Sequence, residues 1–460
     1  MKKLLLALLV AGLVTGPSMI ALAQDDRRDH DWNDEYWRHE HYGYWHGERG
    51  YWQYRDHKHE FIRVSPEVGG FRTRLADKGI TFNTQYTAET WGNPVGGISS
   101  GAVYTGQMSF QGNIDLQKLL GWRGASFSTR WYWLSGQDIS AKYVGNIFTV
   151  SNIAGSPTVR MNELWFQQKF LSDRISIRAG QMGADSEFYV STQSIIFLNG
   201  ALSWSPTLFT NTPNGGPAYP MSAPGIRLAV TPVDWLSYNG AVFQGNPFAQ
   251  DVNHHGFRWD LSASNGYFSI HELTLQLNQE PGSSGLPATF KIGGWFDTVP
   301  DPNANNTQPW SYGFYFVADQ MLYRVPRSDS LPVTDNKGQR PTPVSPTDKG
   351  LGAFTHIGLS PQNSSFINFY IDGGLTYKGL IPSRDNDVLG VAVGYGHLKN
   401  NPQDNKGGSN PNYEMVLEAT YQIELATWLS LQPDLQYVIH PSGTNIANAL
   451  VVGARTILSF

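Results

Sequence analysis

The sequence of 460 residues has no cysteine, which excludes a disulfide framework and any thiolate metal site. It is also poor in charge, with 15% Asp, Glu, Lys and Arg and a net charge of −5. Without a basic patch there is no electrostatic footprint for nucleic acid. Beyond its first residues the chain has no run approaching the roughly 18 apolar residues that a membrane-spanning helix needs. The long apolar stretch it does have is "MKKLLLALLVAGLVTGPSMIALAQ". Two lysines, an apolar run broken by Gly16 and Pro17, and Ala21-Leu22-Ala23 read as a secretory signal over residues 1–23. For an N-terminal membrane anchor, the competing reading, the apolar core is too short. The mature chain is expected to be exported.

What the sequence has in quantity is glycine, 48 residues, and aromatic rings, 13% of the chain. Residues 24–71 are a separate material. The stretch "DDRRDHDWNDEYWRHEHYGYWHGERGYWQYRDHKHE" lacks any aliphatic side chain, cannot bury a core, and is expected to be a disordered periplasmic extension. His39, His41, His57 and His59 within it are weak candidates for chelating a divalent metal; no metal or cofactor is assigned to the chain.

From residue 72 onward the apolar pattern has period two. In "GITFNTQYTAETW", Ile80, Phe82, Tyr86 and Ala88 share one face and Thr81, Asn83, Gln85, Thr87 and Glu89 the other. "FSIHELTLQLNQ" sets Leu273, Leu275 and Leu277 against Glu272, Thr274, Gln276 and Asn278. "YEMVLEATYQIEL" sets Met415, Leu417, Ala419, Tyr421 and Ile423 against Glu414, Glu418, Thr420, Gln422 and Glu424. Sixteen such runs are expected: 79–91, 106–116, 124–134, 161–171, 174–183, 224–231, 234–246, 267–279, 288–298, 311–324, 351–360, 366–378, 387–398, 412–425, 428–439 and 448–460. Each is about ten residues long and bounded by Gly, Pro, Asn or Asp.

Strands of this length and alternation, joined by connections of alternating long and short length, predict an all-β fold: a transmembrane antiparallel barrel with sixteen strands over residues 72–460. Lipid offers the backbone no hydrogen bonds, so a sheet spans it only when closed. Soluble β-sandwiches account poorly for a second face of Gln, Asn, Thr and paired acids rather than lysines. The final run ends on Phe460, the apolar row, while Arg455 points the other way into the lumen. With both ends periplasmic, the connections 92–105, 135–160, 184–223, 247–266, 299–310 and 399–411 are long and extracellular. The Pro-rich segment 325–350 is the exception, a long insertion at a periplasmic turn.

Several stretches resemble the OprB family of carbohydrate-selective porins: "RLADKGITFNTQYTAETWGNPVGG", "NIDLQKLLGWRGASF", "RMNELWFQQKF", "FQGNP", "VADQMLYR", "LTYKGLIPSRDNDVLGVA" and "YQIELATWLSLQPDLQYVIHPSG". The resemblance runs from about Arg72 to Phe460. It implies a monomeric outer-membrane barrel of a Gram-negative bacterium, passing monosaccharides by facilitated diffusion through a channel narrowed by inward loops and a constriction of arginines and acids. It also implies that a terminal Phe460 serves recognition by the barrel assembly machinery.

On the polar faces, Glu89, Arg130, Glu163, Arg178, Glu418 and Asp434 are the candidates for such a constriction. Asp185 and Glu187 open the longest connection, which is long enough to fold inward. Arg160 shares the face of Glu163 only if a bulge interrupts "RMNELWFQQ". Carboxylates accept and guanidiniums donate, so paired opposite charges can satisfy a sugar's hydroxyls. Trp91, Tyr132, Trp165 and Trp295 are candidates to stack on its ring. Two positions depart from the family pattern: Gln432 stands where an arginine is expected, and "WLSG" (133–136) lacks a charge. A general or ion-preferring porin would share the fold, and a receptor or adhesin would act through its loops. A barrel enzyme would need a paired histidine, and neither His356 nor His440 has an evident partner in sequence.

Overall fold

In the computed structural model the described residues are 70–279, 283, 285–299, 310–325, 349–399 and 410–460. The segment 1–69, with its expected signal, its extension and its four histidines, lies outside them, as does most of the Pro-rich insertion.

Sixteen antiparallel strands close into one barrel, each paired with its neighbours in sequence. They are β1 (Ile80–Gly97), β2 (Gly101–Asp115), β3 (Ala125–Gly136), β4 (Thr158–Phe170), β5 (Ile175–Met182), β6 (Ala223–Val233), β7 (Leu236–Gln244) and β8 (Tyr267–Leu277), followed by β9 (Ala288–Asp297), β10 (Ser311–Arg324), β11 (Gly350–Leu359), β12 (Ile367–Lys378), β13 (Val388–Leu398), β14 (Tyr413–Ala426), β15 (Leu429–Ile439) and β16 (Ala447–Ser459). All sixteen runs read from the alternation are strands. One connection is different from expectation: 92–105 is not a long loop, because β1 and β2 continue to a hairpin that leaves only residues 98–100 between them. Alternation stops near Trp91 because Gly92, Asn93, Pro94 and Gly96 interrupt it, yet the ladder carries on through register shifts after Gly92.

The seam pairs β1 with β16 and sets Glu89 opposite Arg455. Trp91 faces Gly453 there. A Cβ on Gly453 would come within 2.2 Å of the indole, so only glycine lets Trp91 lie flat across the last strand. At the end holding both described termini, helix α1 (Phe71–Asp77) packs beside β1. Arg72 donates to the Phe82 carbonyl at 3.0 Å, and the Phe460 amide donates to Thr84 O at 2.9 Å. A second short helix, α2 (Leu116–Leu120), closes the β2–β3 turn, capped by Asp115 accepting from Gln117 N and Lys118 N.

Burial is inverted relative to a water-soluble sheet. On the outer face Ile292 is 62% exposed and Leu435 45%, while on the inner face Glu272 and Glu418 are 2% and 3% exposed. Such an apolar exterior suits hydrocarbon, not water. Among the described residues no helix is long and apolar enough to cross a membrane, and the strands are what present this surface.

Candidate functional site

Two connections at the end opposite the termini fold into the barrel: 137–157, between β3 and β4, and 183–222, between β5 and β6. They bond to each other, Asn152 N to Leu198 O at 2.8 Å and Gly200 N to Thr149 O at 2.7 Å. The second carries helix α3 (Pro206–Phe209). Phe148, Val150, Leu198 and Ala201 bury their apolar groups against Trp91, Val416, Val438 and Val451 of the inner wall. Those wall residues interrupt the otherwise polar inner rows. They are the footprint of the straps.

An inward loop has backbone N–H groups that water no longer serves, and each must find an acceptor. Wall carboxylates supply them. Glu418 on β14 accepts from Leu198 N and Asn199 N at 2.6 and 3.0 Å, and Glu414, four residues earlier, from Ile147 N and Phe148 N at 2.9 and 2.6 Å. Asp319 on β10 accepts from Thr192 N at 2.9 Å and from the Ser191 hydroxyl. Glu272 on β8 accepts from Tyr189 N at 2.8 Å and the Tyr315 hydroxyl at 3.0 Å, with Lys291 at 3.2 Å. On β15, Gln432 and Gln436 donate to Ile196 O and Val150 O at 2.7 and 2.9 Å. Asp434 lies between them and accepts from Gln436 at 3.0 Å.

Across the barrel the wall charges pair with side chains. Arg130 on β3 meets Glu163 on β4 at 3.5 Å and donates to Gln111 at 3.0 Å. Arg178 on β5 lies 3.7 Å over the Trp165 ring. Both Arg178 and Arg227, from β6, bond to Glu187 of the second strap, Arg227 at 2.6 Å. Burial alone would raise the Glu187 carboxyl, but the two guanidiniums hold it below its ordinary value. At the seam Arg455 bonds to Glu89 at 2.7 Å, and Glu89 also accepts from Trp91 Nε1 at 2.8 Å and Ser151 Oγ at 2.6 Å. The pair therefore clamps the first strap as well as the seam.

The β3–β4 register jumps from Arg130–Glu163 to Trp131–Met161, leaving Asn162 as a bulge. Arg160 and Glu163 thereby point to the same side, the condition their opposite parity set. The bulge has an outer consequence too: Met161 N donates to His255 O at 3.0 Å, fastening the β7–β8 connection over that strand. Arg160 is fully buried beside Tyr132 and Tyr219, and none of its guanidinium nitrogens has a hydrogen-bond partner among the described residues.

Between the straps lies a cavity of about 670 Å³. Of the residues proposed from sequence, Asp185 alone lines it; Glu89, Arg130, Arg160, Glu163, Arg178, Glu187, Glu418 and Asp434 sit behind, in the wall or at the strap attachments. Trp91, Tyr132, Trp165 and Trp295, the candidate stacking rings, are between 1% and 6% exposed and do not line it either. Strap packing covers Trp91 and Trp295, and Arg178 covers Trp165. The rings that do line the cavity belong to the second strap: Trp204, Phe209 and Tyr219. Tyr219 is fixed on three sides, its N–H donating to Asp185 at 2.9 Å, its hydroxyl donating to Ile153 O at 2.7 Å and accepting from Gln107 at 2.9 Å. Serines, Asn152 and Gln250 complete the lining, with Asp138 and Lys142 from the first strap. Irregular loops give no periodicity, so Trp204, Phe209 and Tyr219 carried no signal in the sequence.

His356 also differs from expectation, because the fold gives it a partner. Its Nδ1 lies 2.7 Å from Asp372, and its ring stacks on Tyr189 of the second strap at 4.5 Å. Nε2 is buried and has no hydrogen-bond partner among the described residues, and the stacked pair braces the strap.

The family model described as "Carbohydrate-selective porin, OprB family" matches residues 99–460. Porin B of Pseudomonas aeruginosa is 24% identical over 432 residues, spanning 84% of this chain and 89% of the relative. The putative porin QuiX of Acinetobacter baylyi is 21% identical over 432 residues, covering 85% and 92%. The high-pH structure of Pseudomonas putida OprB superposes with a TM-score of 0.71 at 24% identity, covering 88% of this chain and all (100%) of that one. Its low-pH structure gives 0.54 at 20% identity, covering 86% and 98%.

Proposed function

The chain belongs to the OprB family of carbohydrate-selective porins, and from that premise we propose that it passes monosaccharide-sized sugars through the space between its two straps. The observation that carries this reading is the strap cavity. At about 670 Å³ it lies within the range of small-ligand pockets, about 300–1,000 Å³. Its lining combines hydroxyls and amides, which both donate and accept, with aromatic faces suited to an apolar sugar ring. Contacts of this kind are individually weak, as a channel requires, since a tight site would hold its solute.

The membrane setting follows from the same surface. The apolar exterior belongs in an outer membrane, with the straps at the extracellular side and the termini at the periplasmic side. A signal over residues 1–23, a periplasmic extension over 24–71, a monomeric barrel, and assembly through the strand ending at Phe460 complete the proposal. Liposomes carrying the purified barrel should swell in glucose faster than in a disaccharide of similar polarity. Glucose should also reduce single-channel ion current. Swelling that follows solute size alone, with no block by glucose, would make it a general porin.

A further inference from the structure

The strap cavity is lined by three charged residues among the described residues, Asp138, Asp185 and Lys142. None of the described arginines lines it. Arg130, Arg178 and Arg227 are committed to Glu163 and Glu187 in the wall behind. Arg160 is covered completely. Lys142 is exposed and donates to Gln137 at 2.7 Å, so its single positive charge is both solvated and occupied. Asp138 is held by Ser140 N at 2.9 Å and Asp185 by Tyr219 N at 2.9 Å, which fixes both carboxylates at the cavity margin.

Two acids against one base leave the solute-facing surface with an excess of negative charge. In a narrow channel with low-dielectric walls such a field is screened less than in bulk water, so it acts on any charged solute entering.

We propose that the cavity sorts sugars by charge, admitting protonated amino sugars and neutral hexoses and excluding uronic acids, with Asp138 and Asp185 as the specificity-determining residues. This deepens the sugar-channel reading and rests on it. An amino sugar differs from its neutral parent by one ammonium in place of a hydroxyl, so size and shape are nearly unchanged. A uronic acid places a carboxylate beside Asp185, where like charges repel.

The test compares glucose, glucosamine and glucuronate flux in the same proteoliposomes at neutral pH. Wild type should pass glucosamine severalfold faster than glucuronate. Asp185→Asn, which keeps an oxygen to accept from Tyr219 N, and Asp138→Asn should each move that ratio toward one, and Lys142→Gln should raise it. Folding of each variant is verified by heat-modifiable migration in detergent. A wild-type ratio at or below one, or folded Asn variants with an unchanged ratio, would overturn the proposal. The reversal potential of wild-type channels in a potassium chloride gradient reads the same charge without mutation; anion preference would overturn it as well. Absence of glucose flux in the wild type would instead overturn the sugar-channel reading itself.

Discussion

The arc β3–β6 and the arc β8–β15 hold their buried charges in different ways. In the first, arginines find carboxylates: Arg130 with Glu163, and Arg178 and Arg227 with Glu187. In the second, Glu414, Glu418 and Asp319 find the backbone N–H groups of the straps. The difference has a simple origin. A guanidinium needs acceptors, and a backbone carbonyl in a closed ladder is already used, so Arg130, Arg178 and Arg227 take side-chain acids, while Arg160 on β4 has no hydrogen-bond partner among the described residues. A carboxylate needs donors, and an inward loop supplies free N–H groups in pairs. Glu414, Glu418 and Asp319, inner-wall acids whose donors are strap N–H groups, therefore mark where a loop lies. They are attachment points for the straps, and none of the three lines the strap cavity.

Removing one acid from each arc should separate the two roles. Glu163→Leu takes the carboxylate from Arg130 in a dry wall, and breaking a buried pair costs about 3–5 kcal/mol. Barrel unfolding in denaturant should register that loss, while protease sensitivity of the straps, 137–157 and 183–222, stays near wild type. Glu418→Leu does the reverse. It strands Leu198 N and Asn199 N, at about 1–3 kcal/mol for each unpartnered group. Here the strap should become cleavable by added protease and the single-channel current noisier, with the barrel midpoint less affected. Matching responses from the two variants would dissolve the distinction between the arcs.

The smallest effect belongs to Glu187, which joins the arginine arc to a strap. Its carboxyl is held below the ordinary value of 4.5 by two guanidiniums. A lowered folded value means this attachment is fully present above about the ordinary glutamate range and is lost only as pH falls through the lower folded value. Arg178→Ala leaves Arg227 alone on Glu187, so the loss should move to higher pH. Titrating strap proteolysis downward from pH 6 in wild type and variant measures the displacement. A variant curve that coincides with wild type would assign Arg178 to the Trp165 stack alone.

The strands were legible because lipid on one side and water or protein on the other impose a two-residue period that no other environment repeats so often. The exceptions to that period were legible too, though their meaning was not. Val416 between Glu414 and Glu418, and Val438 following Gln432, Asp434 and Gln436 in the same row, break the polar inner face where the straps press against it. The bulge at Asn162 was visible as a parity conflict between Arg160 and Glu163, and the register shows how the conflict is relieved. The hairpin at 98–100 was hidden by its glycines and proline, which suggest a loop while the ladder continues on backbone bonds alone.

The sequence by itself determined the barrel, its strand number, its two faces and its closing pair, because each follows from local periodicity and the obligation of a sheet in lipid to close. It also carried the family resemblance. Only the tertiary structure decided which residues line the strap cavity. Glu418 and Leu198 are 220 positions apart, and Glu89 and Arg455 are 366 apart. Which acid takes an arginine and which takes a strap depends on where the inward loops come to rest. That is set by apolar packing against the inner wall, which no local pattern in an irregular segment encodes.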